Sequence, residues 1–132
     1  MTFFQELILI SLGRREQFSR KLTDADWASI YTEAQRQSLV GVLLTGVEKV
    51  IARGEDKPRF LMQWIAQGLA LENRNRLLNA RCKEISDIFY DLGLRCCVLK
   101  GQGVALLYPN SLRRQCGDID LWVEGNRDDI YK

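Results

Sequence analysis

At Gly93 the apolar spacing of this chain changes period, and no other feature constrains its fold as much. Up to Leu92, apolar residues recur every three or four positions, the spacing of one face of a helix. Beyond Gly93 they alternate, as they do along a half-buried strand. Helices first and strands second is the order of an α+β fold. Residues 1–93 therefore read as a helical region of about four helices, one of them long, and residues 94–132 as the start of a second, sheet-containing part.

Phe4, Leu7, Ile8, Ser11 and Leu12 keep helical spacing, which predicts an amphipathic helix over 3–12 ended by Gly13. Thr23 and Asp26 have the spacing of a capping box and open a helix through about Gln37, with Trp27, Ile30, Tyr31 and Ala34 as its buried stripe. Val40 to Ala52 is a third helix on the spacing of Leu43, Val47, Val50 and Ile51. Gly41 and Gly46 count against it, each by roughly 1 kcal/mol relative to alanine. A polar loop at 53–57 leads to Pro58, a residue suited to a helix start. From Pro58 to Leu92 only Gly68 interrupts, so one long helix or two consecutive ones are expected. Their stripe would be Leu61, Ile65, Leu69, Leu78, Cys82, Ile85, Phe89 and Leu92, with Gly93 as the cap. The polar run from Glu72 to Arg76 reads as a solvated face carrying an i, i+4 ion pair.

With 132 residues the chain has room for one substantial core but not for two independent ones. No stretch reaches the roughly 18 consecutive apolar residues of a membrane span. The N-terminal apolar run has Glu6 before it and two arginines after it, the reverse of a secretory signal, so a cytoplasmic protein without membrane association is expected. A net charge of +2 argues against a general nucleic-acid binder and makes any anion site local, and none of the helices shows the basic face of a DNA-reading helix. Cys82, Cys96, Cys97 and Cys116 lack a CxxC spacing and read as reduced, mostly buried thiols. The sequence contains no histidine, which removes Ser-His-Asp and Cys-His nucleophilic sites and imidazole metal sites. Carboxylates, lysines and arginines are left to carry any chemistry.

Those residue types concentrate between Arg95 and Val123, RCCVLKGQGVALLYPNSLRRQCGDIDLWV. A strand over 95–100 runs into Gly101, Gln102 and Gly103, and a short helix over Val104 to Tyr108 is stopped by Pro109. A strand, glycines and a helix start offer backbone N–H groups to a phosphate; the plainer alternative is a tight turn. In the second strand, 117–123, Ile119, Leu121 and Val123 share one face and Asp118 and Asp120 the other. Aspartate is depleted in strands, and two carboxylates at i, i+2 repel unless a cation lies between them. Hard oxygen ligands of this kind suit Mg²⁺. Two such ions about 3.5–4 Å apart would clamp a transferring phosphoryl group. The alternative is a surface strand with two solvated aspartates. Arg95, Lys100, Arg113 and Arg114 precede the pair with no acid among them, and Arg113 or Arg114 is placed to meet phosphate charge bidentately.

Lys100-Gly101-Gln102, a helix, an arginine and GDIDL at 117–121 resemble the signature of the DNA polymerase beta-type nucleotidyltransferase superfamily. The segment is more closely similar to an uncharacterised bacterial nucleotidyltransferase family with an LKG turn, a helix ending in Tyr-Pro and an arginine shortly before GDIDL. Leu99-Lys100-Gly101, Leu107-Tyr108-Pro109 and Arg113 match that order over residues 95–123. The resemblance implies a nucleotidyltransferase-type mixed sheet of which this chain holds the first two strands. It also implies Mg²⁺ on Asp118 and Asp120, and Gly101 and Gln102 near the β- and γ-phosphates of a nucleoside triphosphate. The reaction implied is transfer of a nucleotidyl group to an acceptor hydroxyl or similar nucleophile. For the turn to lie near Asp118, the two strands would best run antiparallel.

The chain departs from the superfamily pattern twice. Gln102 stands where serine or glycine is usual, and the third carboxylate comes from a later strand, a role not assigned to Glu124, Asp128 or Asp129. The expectation is a truncated, by itself inactive, nucleotidyltransferase whose final segment, Asn126 to Lys132, begins a helix. The rival expectation is a non-catalytic helical interaction module that self-associates, covering the open edge of a two-stranded sheet. A third combines them, with the missing carboxylate supplied by another chain.

Overall fold

The computed structural model describes residues 1–55, 57–115 and 117–125. The helix expected over Asn126 to Lys132, the acids Asp128 and Asp129, and Cys116 lie outside the described residues. The chain order is α1 (Phe3–Ser11), α2 (Asp24–Arg36), α3 (Val40–Ala52), α4 (Leu61–Asp91), β1 (Cys96–Leu99), α5 (Gly101–Ala105), a 3-10 turn (Ser111–Arg113) and β2 (Asp120–Val123). This is the α+β arrangement expected from the change of period at Gly93. Among the described residues no helix is long and apolar enough to cross a membrane.

Both leading helices start on reciprocal caps. At α2 the Thr23 hydroxyl accepts from the Asp26 N–H at 3.2 Å, and Asp26 accepts from the Thr23 N–H at 2.8 Å. Thr2 and Gln5 repeat the device at α1, an instance not anticipated above. The core gathers Leu7 and Ile10 from α1, Trp27 and Ile30 from α2, Leu43, Val47 and Val50 from α3, and Trp64 from α4. Trp27 meets Trp64 edge-on at 6.3 Å between ring centroids, and the Trp64 indole N–H donates to the Val40 carbonyl at 2.8 Å, so its one polar atom is satisfied inside the core. Lys49 of α3 donates to the Ile10 and Ser11 carbonyls at the C-terminal end of α1, where a cation complements the helix dipole.

The glycines that weakened the case for α3 are the reason it packs so closely. A Cβ at Gly46 would stand 2.4 Å from the Ser11 hydroxyl and 2.8 Å from a Leu7 methyl, so α1 crosses α3 at a point where only hydrogen fits. Gly68 gives the same access to Leu44, and Gly41 to the backbone carbonyl of Arg113. Their propensity cost is local; the contacts they permit join three helices to the segment before β2.

α4 is a single helix of 31 residues, about 46 Å long at 1.5 Å per residue, not two consecutive helices. It begins at Leu61, three residues after Pro58, whose carbonyl accepts from the Leu61 N–H. Its buried face also differs from the expected stripe. Leu69 and Leu92 are 53% and 67% exposed, whereas Trp64, Gly68, Glu72, Asn75 and Cys82 are buried. The apolar residues straddle the inward line, and of the polar run from Glu72 to Arg76 only Asn73, Arg74 and Arg76 are exposed, Glu72 and Asn75 being buried. Glu72 still meets Arg76, at 3.8 Å, but its main partner is Arg113 at 2.9 Å. The thiols differ similarly: Cys82 is buried, Cys96 half-buried and Cys97 exposed, and none of the three is in a disulfide.

Two tests follow from these local features. The N–H of Thr23 above all, with Arg20 beside it, holds the Asp26 carboxyl below its ordinary value of 3.8. A depressed folded-state pKa gives stability that is present above about pH 4 and is lost as pH falls through the folded value. Asp26→Asn is expected to flatten the fall in urea midpoint between pH 6 and pH 3; an undiminished fall would show that the cap does not titrate with folding. Gly41→Ala places a methyl 2.2 Å from the Arg113 carbonyl oxygen. By helix propensity it should stabilise by about 1 kcal/mol, whereas by overpacking it should destabilise by about 1–3 kcal/mol. Denaturant unfolding is expected to show the loss.

Candidate functional site

β1 and β2 pair antiparallel, as the position of the turn requires, in the register Cys96 with Val123, Cys97 with Trp122, Val98 with Leu121 and Leu99 with Asp120. Leu121 and Val123 are half-buried while Asp120 and Trp122 are exposed, so the period-2 reading of this strand holds although regular pairing starts at Asp120 and not at Gly117. Asp118 lies two residues before the ladder. Its carbonyl oxygen is 3.7 Å from where a Gly101 Cβ would be, which brings the turn after β1 against the approach to β2. The end of the sheet is tied by Arg95 and Glu124, 2.5 and 2.9 Å apart at their two contacts. Each hydrogen-bonds the other's charged form, raising the Arg95 pKa and lowering that of Glu124.

The turn itself is built tightly. Lys100 has φ of +52°, an uncommon conformation for a residue with a side chain, and Gly101 follows at +21°. The Lys100 carbonyl then accepts from the Val104 N–H at 2.8 Å, so α5 begins at Gly101 rather than at Val104 and ends at Ala105 rather than at Tyr108. Glycine is required at 103 because a Cβ there would lie 2.9 Å from the Val98 carbonyl. The glycines thus shape a turn folded back on its own strand, the plainer of the two readings of GxG, and they do so beside Asp118.

The basic residues of the segment divide by partner. The Arg113 side chain, 13% exposed, donates to both Glu48 carboxylate oxygens at 2.8 and 2.9 Å, to Glu72 at 2.9 Å and to the Thr45 hydroxyl at 3.0 Å. Hydrogen bonding to Glu48 is the largest influence keeping its pKa high. Its fork is occupied by scaffold carboxylates and is not turned toward an anion. Arg114 is half-buried and its carbonyl accepts from Asn75; Lys100 is exposed at the turn. Gln102 does not face solvent at the turn as a phosphate contact would. Its amide donates to the Asn79 side chain and, at 3.5 Å, to the Asn75 carbonyl.

Asp118 and Asp120 are exposed and, among the described residues, have no ion-pair partner. Two carboxylates at i, i+2 without ion-pair partners are of the kind that would hold a hard divalent cation such as Mg²⁺ with phosphates completing its shell. Among the described residues no group of three or more His, Cys, Asp or Glu side chains is arranged to hold a metal. Glu48, Glu72, Asn75 and Asn79 were not singled out as site-forming residues. The signal for two of them lay in position: 72 and 75 continue the helical line of Trp64 and Gly68, so polar groups there had to meet something other than water, whereas Asn79, on the same line, is exposed.

No curated protein and no solved structure matches the chain. A family model described as an uncharacterised nucleotidyltransferase matches residues 23–130, a stretch that takes in α2 to α5, both strands, and the turn and aspartates just described. The match thus reaches well beyond the 95–123 segment, into the helices that buttress it, and the chain belongs to that uncharacterised nucleotidyltransferase family.

Proposed function

We propose that this chain carries the metal- and nucleotide-binding half of a site that transfers a nucleotidyl group from a nucleoside triphosphate to an acceptor hydroxyl or similar nucleophile. The observation that carries the reading is the pair of unpartnered carboxylates, Asp118 and Asp120, set against the Gly101 turn by an antiparallel ladder. Asp118 and Asp120 would hold Mg²⁺, which when bound supplies positive charge to the triphosphate oxygens. Lys100 stands beside them as an exposed cation for the same phosphates, and Gly101 lets the triphosphate approach the backbone without a side chain in the way. Arg113 contributes indirectly, through the position of the segment that leads into Asp118. Arg114, one residue on, remains a second candidate for phosphate charge.

Two carboxylates leave the set one short of the three expected for this chemistry. The described residues are therefore proposed to bind Mg²⁺–nucleotide without turning it over, the third carboxylate coming from outside them or from another chain. Isothermal titration with the Mg²⁺ complexes of the four common ribonucleoside triphosphates, one at a time, tests this. Asp118→Asn is expected to weaken binding by about tenfold or more, about 1.4 kcal/mol, with the unfolding midpoint unchanged. Absence of binding to the unmutated chain, or full binding by Asp118→Asn, overturns the reading.

One observation favours a second reading, self-association through the sheet. β1 and β2 form a two-stranded sheet on whose more exposed face Leu99 and Trp122 are 43% and 54% accessible. Light scattering that shows a dimer insensitive to Asp118→Asn and Asp120→Asn would support it.

A further inference from the structure

The turn and the aspartates are held by the same helix. On α4, Glu72, Asn75 and Asn79 fall at i, i+3 and i+7, on one face. Asn75 is 1% exposed, and its side-chain N–H₂ donates to the carbonyls of Leu112 at 2.6 Å and Arg114 at 2.7 Å. The orientation of that amide is fixed by its partners, since turning it over would set its oxygen against two carbonyl oxygens. Glu72 takes Arg113 between those two carbonyls. One turn further along, Asn79 and the Asn75 carbonyl both accept from the Gln102 side chain. Thus α4 grips the segment 112–114, three residues before Gly117, and also the residue next to Gly101.

We propose that Gln102, Asn79 and Asn75 are positioning residues, which through α4 set the separation between the Gly101 turn and Asp118. Gln102 then acts on a bound triphosphate through the place of the Gly101 backbone and not by touching it. The proposal rests on the nucleotidyl-transfer reading for its ligand but not for its geometry.

Asn79 is exposed, so Asn79→Ala leaves the core intact and serves as the first variant. Gln102→Ala and the double variant complete a cycle, read as affinity for the Mg²⁺–nucleotide that binds best to the unmutated chain. If Gln102 acts through Asn79, each single change weakens binding by about three- to tenfold, the size of one hydrogen bond, and the double variant is no weaker than the worse single. A loss on Gln102→Ala with none on Asn79→Ala would make Gln102 a direct phosphate contact and overturn the proposal, as would additive losses. ¹H–¹⁵N spectra of the ligand-free chain give a second readout. Asn79→Ala is expected to shift the amide signals of Gly101 and Asp118 and to leave those of α1 and α2 in place. If the unmutated chain binds no nucleotide, the transfer reading fails by itself; the spectra then decide the positioning, supporting it if Gly101 and Asp118 move together and overturning it if they do not.

Discussion

The clamp of Arg113 between Glu48 and Glu72 is the contact on which the junction of the two parts depends. A guanidinium that is 13% exposed cannot shed its charge, so it must be met by carboxylates, and here α3 and α4 each provide one. The pairing fixes more than itself. With Arg113 in place its carbonyl rests on the bare Cα of Gly41, and the carbonyls on either side fall to Asn75. An irregular segment between a short helix and a strand has few backbone partners of its own. In this chain the helical part supplies them, and the two-stranded sheet, too small to stand alone, is held to a helical wall.

That arrangement explains why some of the chain was legible in the sequence and some was not. The Thr23 cap, the bounds of α3 and the alternation of Leu121 and Val123 with Asp120 depend on neighbours within a few residues, and each was readable. The antiparallel ladder followed from a distance argument, because the turn could reach Asp118 in no other simple way. What local pattern could not give was the inward side of α4. Its apolar residues are spread widely enough to suggest a stripe through Leu69 and Leu92, while the true line runs through Glu72 and Asn75, whose burial is sensible only once Arg113 and two carbonyls are opposite them.

The same distinction separates the glycines. In a propensity account Gly41, Gly46 and Gly68 are weak points of helices; in the fold each marks a place where another backbone or side chain comes within 2.2–2.4 Å of a would-be Cβ. Gly101 and Gly103 serve the other purpose of the residue, allowing a positive φ and a return of α5 onto β1. The start of α5 was misplaced by three residues for this reason: glycine reads as a breaker, yet here it forms the first turn of the helix.

Charge compensation sorts the 95–123 segment into scaffold and site. Read as a line of text it is a basic stretch followed by two acids, and all four cations look available for phosphate. In three dimensions Arg95 belongs to Glu124, and Arg113 to Glu48 and Glu72, so two of the four already have carboxylate partners. Among the described residues Lys100, Asp118 and Asp120 have none, and they stand together at the one corner where the turn after β1 meets the start of β2. Acids and a cation without ion-pair partners at one corner of the fold are what a ligand carrying both signs would meet there. On the proposed reading that ligand is a metal-bound polyphosphate, whose cation would meet the aspartates and whose remaining anionic oxygens would meet the lysine.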